Sequence, residues 1–166
     1  MPAQRYVPAP FGGLRITATD EGVASIDFLS FGPPAMPAQS TGDKAETVAD
    51  RAAEQITEYL TGERRQFELP LDWKELASLR LQVLQTLYET VDYGTTVTYQ
   101  QLAERCGHPS AARVVGQIMG SNPIPLVVPC HRVTASGGEL GGFGGGLETK
   151  RWLLELEGSM PPRLPF

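Results

Sequence analysis

Apolar and polar positions alternate through much of the first thirty residues. In Leu14-Arg15-Ile16-Thr17-Ala18-Thr19 every second side chain is apolar and β-branched residues are frequent, the pattern of a half-buried strand. Asp20-Glu21-Gly22 is a turn signal, and Val23 to Leu29 supplies a second strand. Together they predict an antiparallel hairpin, with Phe67-Glu68-Leu69 as the candidate to join it. The stretch Phe31 to Gly42, rich in proline and small residues, reads as a loop.

The period then changes from two to that of a helix. Asp43 and Glu46 make a capping-box pair, in which each side chain bonds an otherwise unpaired backbone N–H. Ala45, Val48, Ala49, Ala52, Ile56, Tyr59 and Leu60 fall on one helical face, and Gly62 marks the stop. A second pair, Asp72 and Glu75, predicts a longer helix with Leu76, Leu79, Val83, Leu84, Leu87 and Val91 as its buried stripe and Gly94 as its end. Thr98 and Gln101 form a third pair, opening a short helix from Tyr99 to about Cys106 that Gly107 closes. Pro109 suits the first turn of the next helix, which runs through Arg113 to Met119 and ends at Gly120. Two short helices around a tight glycine-containing turn match a helix-turn-helix, although an ordinary helical hairpin is the far commoner source of that pattern. A last helix from about Glu148 to Glu157 buries Trp152, Leu153 and Leu156, and Gly158 closes it. The fold class expected is α+β. An N-terminal α/β domain with a small antiparallel sheet occupies residues 1–70, and a mostly helical C-terminal domain occupies residues 71–166.

Length and composition narrow the function classes. The chain has 166 residues, 41% hydrophobic and 20% charged, which suits a globular protein and excludes global disorder. No apolar run approaches the ~20 residues of a membrane helix. Met1 to Tyr6 lacks the apolar stretch of a secretory signal, so a cytoplasmic protein is expected. The two cysteines, Cys106 and Cys130, exclude a disulfide framework. Net charge is −5, a sum that speaks against nucleic acid, but its distribution matters more. Met1 to Val97 carries 8 basic and 14 acidic residues, whereas Thr98 to Phe166 carries 6 and 5. The second half therefore meets no global repulsion from a phosphate backbone.

The unusual chemistry lies in Asn122-Pro123-Ile124-Pro125-Leu126-Val127-Val128-Pro129-Cys130-His131-Arg132-Val133. Three prolines stiffen the approach to Cys130, with Val127 and Val128 expected to be buried. A cysteine in such a frame is a nucleophile candidate, because an adjacent imidazole or cation lowers a thiol pKa. Adjacent side chains of an extended chain diverge, so a bridging water would have to relay between Cys130 and His131. His131 would need an orienting carboxylate, for which Glu148, Glu155 and Glu157 all stand available. Cys106 and His108 with Cys130 and His131 are four conceivable zinc donors, but their C-x-H and C-H spacings do not match known ligand pairs. No metal and no cofactor are expected, and Cys106 reads as helix core. The glycine-rich run Gly137 to Gly146 lacks the lysine and hydroxyl of a phosphate loop, and suits instead the wall of a base-sized pocket.

These residues resemble the O6-alkylguanine-DNA alkyltransferases. The resemblance runs from about Leu71 to Gly158 and is carried by Tyr99-Gln100-Gln101-Leu102-Ala103, Ala111-Ala112-Arg113-Val114-Val115-Gly116, Ser121-Asn122-Pro123, Pro129-Cys130-His131-Arg132-Val133 and Trp152-Leu153-Leu154 with Glu157-Gly158. Upstream, only the strand–helix order and Tyr59-Leu60-Thr61-Gly62 match. The resemblance implies that Cys130 accepts the alkyl group, that His131 is the water-bridged base and that Glu157 orients it. It implies that Asn122 pins the turn between recognition helix and active site, and that Tyr99 helps extrude the nucleotide and assists the leaving base. Arg113 would fill the vacated space in the duplex, with Ala111, Ala112, Gln100 and Ser136 also at the DNA. Pro125, Val133, Phe143 and Gly144 would line the substrate pocket. Phe143 departs from the tyrosine common in the family, keeping a flat ring and losing a hydroxyl.

The implied reaction is chemically coherent. A methyl carbon on oxygen is a soft electrophile suited to sulfur, the base must leave the stack to be reached, and the thioether formed has no leaving group. The expected partner is double-stranded DNA containing O6-alkylguanine, approached from the minor groove by a monomer, with no membrane involved. The alternatives are a non-catalytic lesion-binding relative, a plain helix-turn-helix regulator and a thiol hydrolase.

Overall fold

The computed structural model describes residues 2–30, 32, 43–74 and 76–161. The chain divides into two compact units. One comprises Met1–Leu76 with Pro123–Pro125, the other Ala77–Asn122 with Leu126–Phe166.

The first unit is a three-stranded antiparallel sheet and one helix. Its strands β1 (Ala3–Ala9), β2 (Gly12–Thr19) and β3 (Gly22–Leu29) lie side by side in chain order. The alternation of β2 does what its pattern predicts: Leu14, Ile16 and Ala18 are buried, while Arg15 and Thr17 remain half-exposed. The third strand is β1, not Phe67–Leu69. Pro8 within it masks its alternation, and its pairing with β2 (Val7 opposite Leu14) supplies what local sequence does not. The chain near residue 70 instead runs beside β3, with Val23 N–H donating to Pro70 O (2.9 Å) and Asp72 N–H to Val23 O (2.8 Å). Gly22 is required there: its φ is +149°, and a Cβ would collide with the Pro70 carbonyl. Helix α1 (Lys44–Leu60) packs on β1 and β2 through Ala45, Val48, Ala49, Ala52, Ile56 and Tyr59. Asp43 caps it by accepting from Glu46 N–H at 2.8 Å. The expected loop Phe31 to Gly42 lies, apart from Gly32, outside the described residues.

The second unit is mostly helical, giving the α+β class overall. Helix α2 spans Ser78–Thr90 and buries Val83, Leu84 and Leu87. It starts later than predicted: Asp72 accepts from Lys74 N–H (3.0 Å) in a local turn and from Thr19 Oγ1 (2.7 Å), six residues before the helix begins. Glu75, the other half of that expected capping pair, lies outside the described residues. The capping box of Thr98 and Gln101 opens α3 (Tyr99–Arg105). Pro109 falls in the turn and not in the next helix: α4 is Ala112–Gly120, with Ala111 as its N-cap. Helix α5 (Leu147–Leu156) buries Thr149, Lys150, Leu153 and Leu154; Trp152 and Leu156, expected inside, are only half-buried. Two residues each of β4 (Val97–Thr98) and β5 (Val133–Thr134) pair in parallel, setting the start of α3 beside the end of the Cys-His-Arg turn.

Candidate active site

Cys130, His131 and Arg132 form a single 3-10 turn, not the extended chain expected. The prolines and Val127–Val128 bury this approach, and Leu126 within it takes a left-handed φ of 74° with no exposure. For a leucine that conformation costs roughly 1–3 kcal/mol, so packing must hold it. Asn122 closes the bend. Its Nδ2 donates to Val128 O at 2.8 Å, and the same amide also donates to the Cys130 sulfur. The Cys130 and His131 backbone N–H groups face the sulfur too.

Cys130 is 4% exposed, and burial pushes its thiol up to about 11 despite those donors and the nearby Lys150 charge. The site therefore rests as a thiol and is poised to stabilise a thiolate once the proton leaves. The sequence points to an adjacent imidazole or cation lowering the thiol pKa. The cation acting on it is Lys150, twenty positions away in sequence, and burial outweighs it.

Of the three candidate glutamates, Glu157 reaches His131, with Oε2 at 2.7 Å from Nε2. Glu148 is exposed, and Glu155 pairs with Arg151 at 2.9 Å. Burial pushes the Glu157 carboxyl up, but hydrogen bonds and charge from His131 and Arg132 outweigh it and hold the group at about 2. Burial pushes His131 down from its usual range. With Glu157 ionised and His131 neutral, Nε2 carries the hydrogen and donates it. That assigns the lone pair to Nδ1, the ring position of a base.

Tyr99, first residue of α3, is half-buried, and burial raises its phenol, so its hydroxyl is intact at neutral pH. Its oxygen accepts from Gly142 N–H, leaving its own hydrogen to donate. Gly141, at φ +75°, allows this approach, since a Cβ there would strike the phenol oxygen. Lys150 Nζ donates to Val133 O (2.7 Å) and Gly142 O (3.2 Å), and burial pulls the ammonium down to about 8. Lys150 and Arg132 are absent from the sequence-predicted site. A signal for Lys150 existed: it stands three, four and seven positions before Leu153, Leu154 and Glu157, on the buried stripe of α5.

Of the remaining predicted residues, Val133 is buried, Phe143 half-buried and Gly144 exposed. Pro125 is buried and belongs to the first unit's three-residue segment. Helix α4 turns Val115, Ile118 and Met119 inward and leaves Arg113 and Val114 exposed, with Ala111 and Ala112 half-buried. Gln100 braces the α3–α4 turn by donating to Pro109 O at 2.7 Å, and Ser136 is exposed. Cys106 caps α3, and His108 lies against Gln82 at 3.2 Å. Among the described residues no group of three His, Cys, Asp or Glu side chains could hold a metal ion. Nor, among them, is any helix long and apolar enough to cross a membrane.

Two family models match the chain. The 6-O-methylguanine DNA methyltransferase ribonuclease-like domain matches residues 4–73, and the DNA binding domain of the same name matches residues 78–159. The chain is 43% identical over 111 residues to the methylated-DNA–protein-cysteine methyltransferase of Mycobacterium tuberculosis, covering 67% of this chain and 66% of that protein. It is 36% identical over 153 residues to the namesake from Mycolicibacterium paratuberculosis, covering 92% and 90%. Among solved structures, a Mycobacterium tuberculosis OGT in complex with DNA superposes with a TM-score of 0.78 at 33% identity, over 95% of this chain and 93% of the other.

Proposed function

The chain belongs to the 6-O-methylguanine DNA methyltransferase family, and on that premise we propose that it repairs DNA by moving the alkyl group of an O6-alkylguanine onto its own Cys130. One observation carries the reading: a buried thiol ringed by donors from Asn122 and the backbone, beside a histidine whose tautomer a carboxylate fixes. That set suits one in-line displacement by sulfur. A thiol hydrolase would need an oxyanion site and would turn over, whereas a thioether ends the reaction. The cysteine itself weighs against the non-catalytic relative.

In the proposed step a water carries the Cys130 proton to His131 Nδ1. The sulfur attacks the alkyl carbon; the C–S bond forms as the C–O6 bond breaks, and the electron pair departs on guanine. The Tyr99 hydroxyl donates to the leaving base, and the proton on His131 returns to guanine through solvent, leaving normal DNA. The lesion must leave the stack to meet a buried sulfur, a cost of a few kcal/mol. Arg113, exposed on α4 with Val114, is the side chain suited to hold the opened duplex, with Ala111, Ala112, Gln100 and Ser136 around it. Val133, Phe143 and Gly144 form the pocket wall in this reading. The thioether product is stable, so each monomer acts once, in the cytoplasm and without a cofactor.

Intact-mass spectrometry after incubation with a duplex containing one O6-methylguanine tests this. One methyl per protein, mapped to the Cys130 peptide and absent in Cys130→Ala, is the expected result. Binding of the lesion without any mass change makes the protein a sensor. Methyl removal by the alanine variant refutes the assignment.

A further inference from the structure

We infer that Arg132 is a positioning residue that keeps His131 a neutral base by engaging both oxygens of the carboxylate that orients it. The inference rests on the proposed role of His131, and it begins from three donors that meet on one carboxylate. Arg132 Nε donates to Glu157 Oε1 at 2.8 Å and Nη2 to Oε2 at 2.9 Å, while His131 Nε2 shares that same Oε2 at 2.7 Å. All three residues are buried. The guanidinium is itself fixed, by Nη1 on Val91 O at 2.9 Å and by the Tyr93 ring 5.6 Å below it. Tyr93 is tied in turn to Leu156 O.

A buried carboxylate beside an imidazole stabilises the imidazolium. With only Glu157 as partner, His131 would be drawn to hold a proton at rest and could not accept one from Cys130. The Arg132 fork cancels that pull while leaving Oε2 aimed at Nε2. Glu157 then sets the tautomer without setting the charge. The other groups facing His131 do not restore the pull: Lys150 is cationic, and Cys130 is a neutral thiol at rest. A lysine cannot reproduce the arrangement, because an ammonium does not offer the planar two-pronged geometry of guanidinium.

The chain has two histidines, His131 and the exposed His108, so imidazole NMR reads the site with His108 as internal reference. In wild type the His131 midpoint should lie below the ordinary 6.5. In Arg132→Gln it should rise by about one pH unit or more, a tenfold gain in proton affinity. The acid limb of the methyl-transfer rate should move by the same amount. Arg132→Lys should shift both in the same direction by less, and it decides the matter if the glutamine variant does not fold. An unmoved midpoint in whichever variant folds, checked by circular dichroism, reduces Arg132 to a structural tie and overturns the inference. Failure of wild type to take up methyl would instead sink the proposed function, and the His131 titration would still report on Arg132.

Discussion

The two units use the same charged side chains to opposite ends. In the sheet unit, Arg5–Asp50, Arg15–Asp27, Arg64–Glu58 and Lys74–Glu21 pair at the surface, and Lys74 and Glu21 stay 65% and 57% exposed. In the helical unit, Arg132 and Glu157 pair with side-chain exposures of 8% and 0%, with His131 and Lys150 equally enclosed. Water and salt screen the first set, so each pair is worth about 0–1 kcal/mol. The second set has no water to relax into. Its charges are displaced in pKa, held in one geometry and costly to strip of a partner. Charge in the first unit decorates a fold; charge in the second defines a protonation state.

Substitutions sharpen the contrast. The largest effect on stability is expected from Glu157→Ala, which leaves Arg132 buried with one main-chain partner and should cost about 3–5 kcal/mol in urea denaturation. The same experiment run against pH reveals the sign. His131 sits below its ordinary 6.5 in the fold, so the unfolded chain takes that proton first and stability falls as pH drops below 6.5. Glu157 sits at about 2 rather than 4.5, so its contribution is full above 4.5 and is lost as pH falls toward 2. The alanine variant should lose the lower of these two slopes.

Lys150→Met comes next. It takes the lysine partner from the buried carbonyl of Val133, at about 1–3 kcal/mol, while the carbonyl of exposed Gly142 can turn to water. It also removes the cation near Cys130, so the thiol should titrate still higher, and alkylation of Cys130 by iodoacetamide at fixed pH should slow by about tenfold per unit of that rise. The smallest effect belongs to Lys74→Ala. Breaking its exposed pair with Glu21 should change the unfolding free energy from urea denaturation by less than about 0.5 kcal/mol. A large loss there would erase the contrast.

What could be read in the sequence was local. Asp43 and the Thr98–Gln101 box cap helices by bonds across three residues, and each opens its helix as predicted. What could not be read was distant. Asp72 resembles a cap, but its carboxylate serves a local turn at Lys74 and a threonine 53 positions earlier, and no helix begins there. Strand β1 carries a proline, Pro8, and gains its identity from β2. The residues of the site divide likewise. Cys130 and His131 announced themselves by their framing, whereas the residue pattern alone left Glu148, Glu155 and Glu157 open, because which carboxylate faces the imidazole depends on how α5 lies against the Cys-His-Arg turn. Lys150 escaped because a lysine on a helix ordinarily faces water, and only its place in the stripe with Leu153 and Leu154 says otherwise.

The bend from Asn122 to Cys130 also behaves as a gauge. One amide grips Val128 O and the sulfur together, while prolines and a left-handed Leu126 remove the slack between them. Its length therefore carries as much information as its letters. A chain that kept every side chain of the site but gained or lost one residue in this span would present the sulfur to the wrong place. Insertions and deletions here should be less tolerated than almost any single replacement.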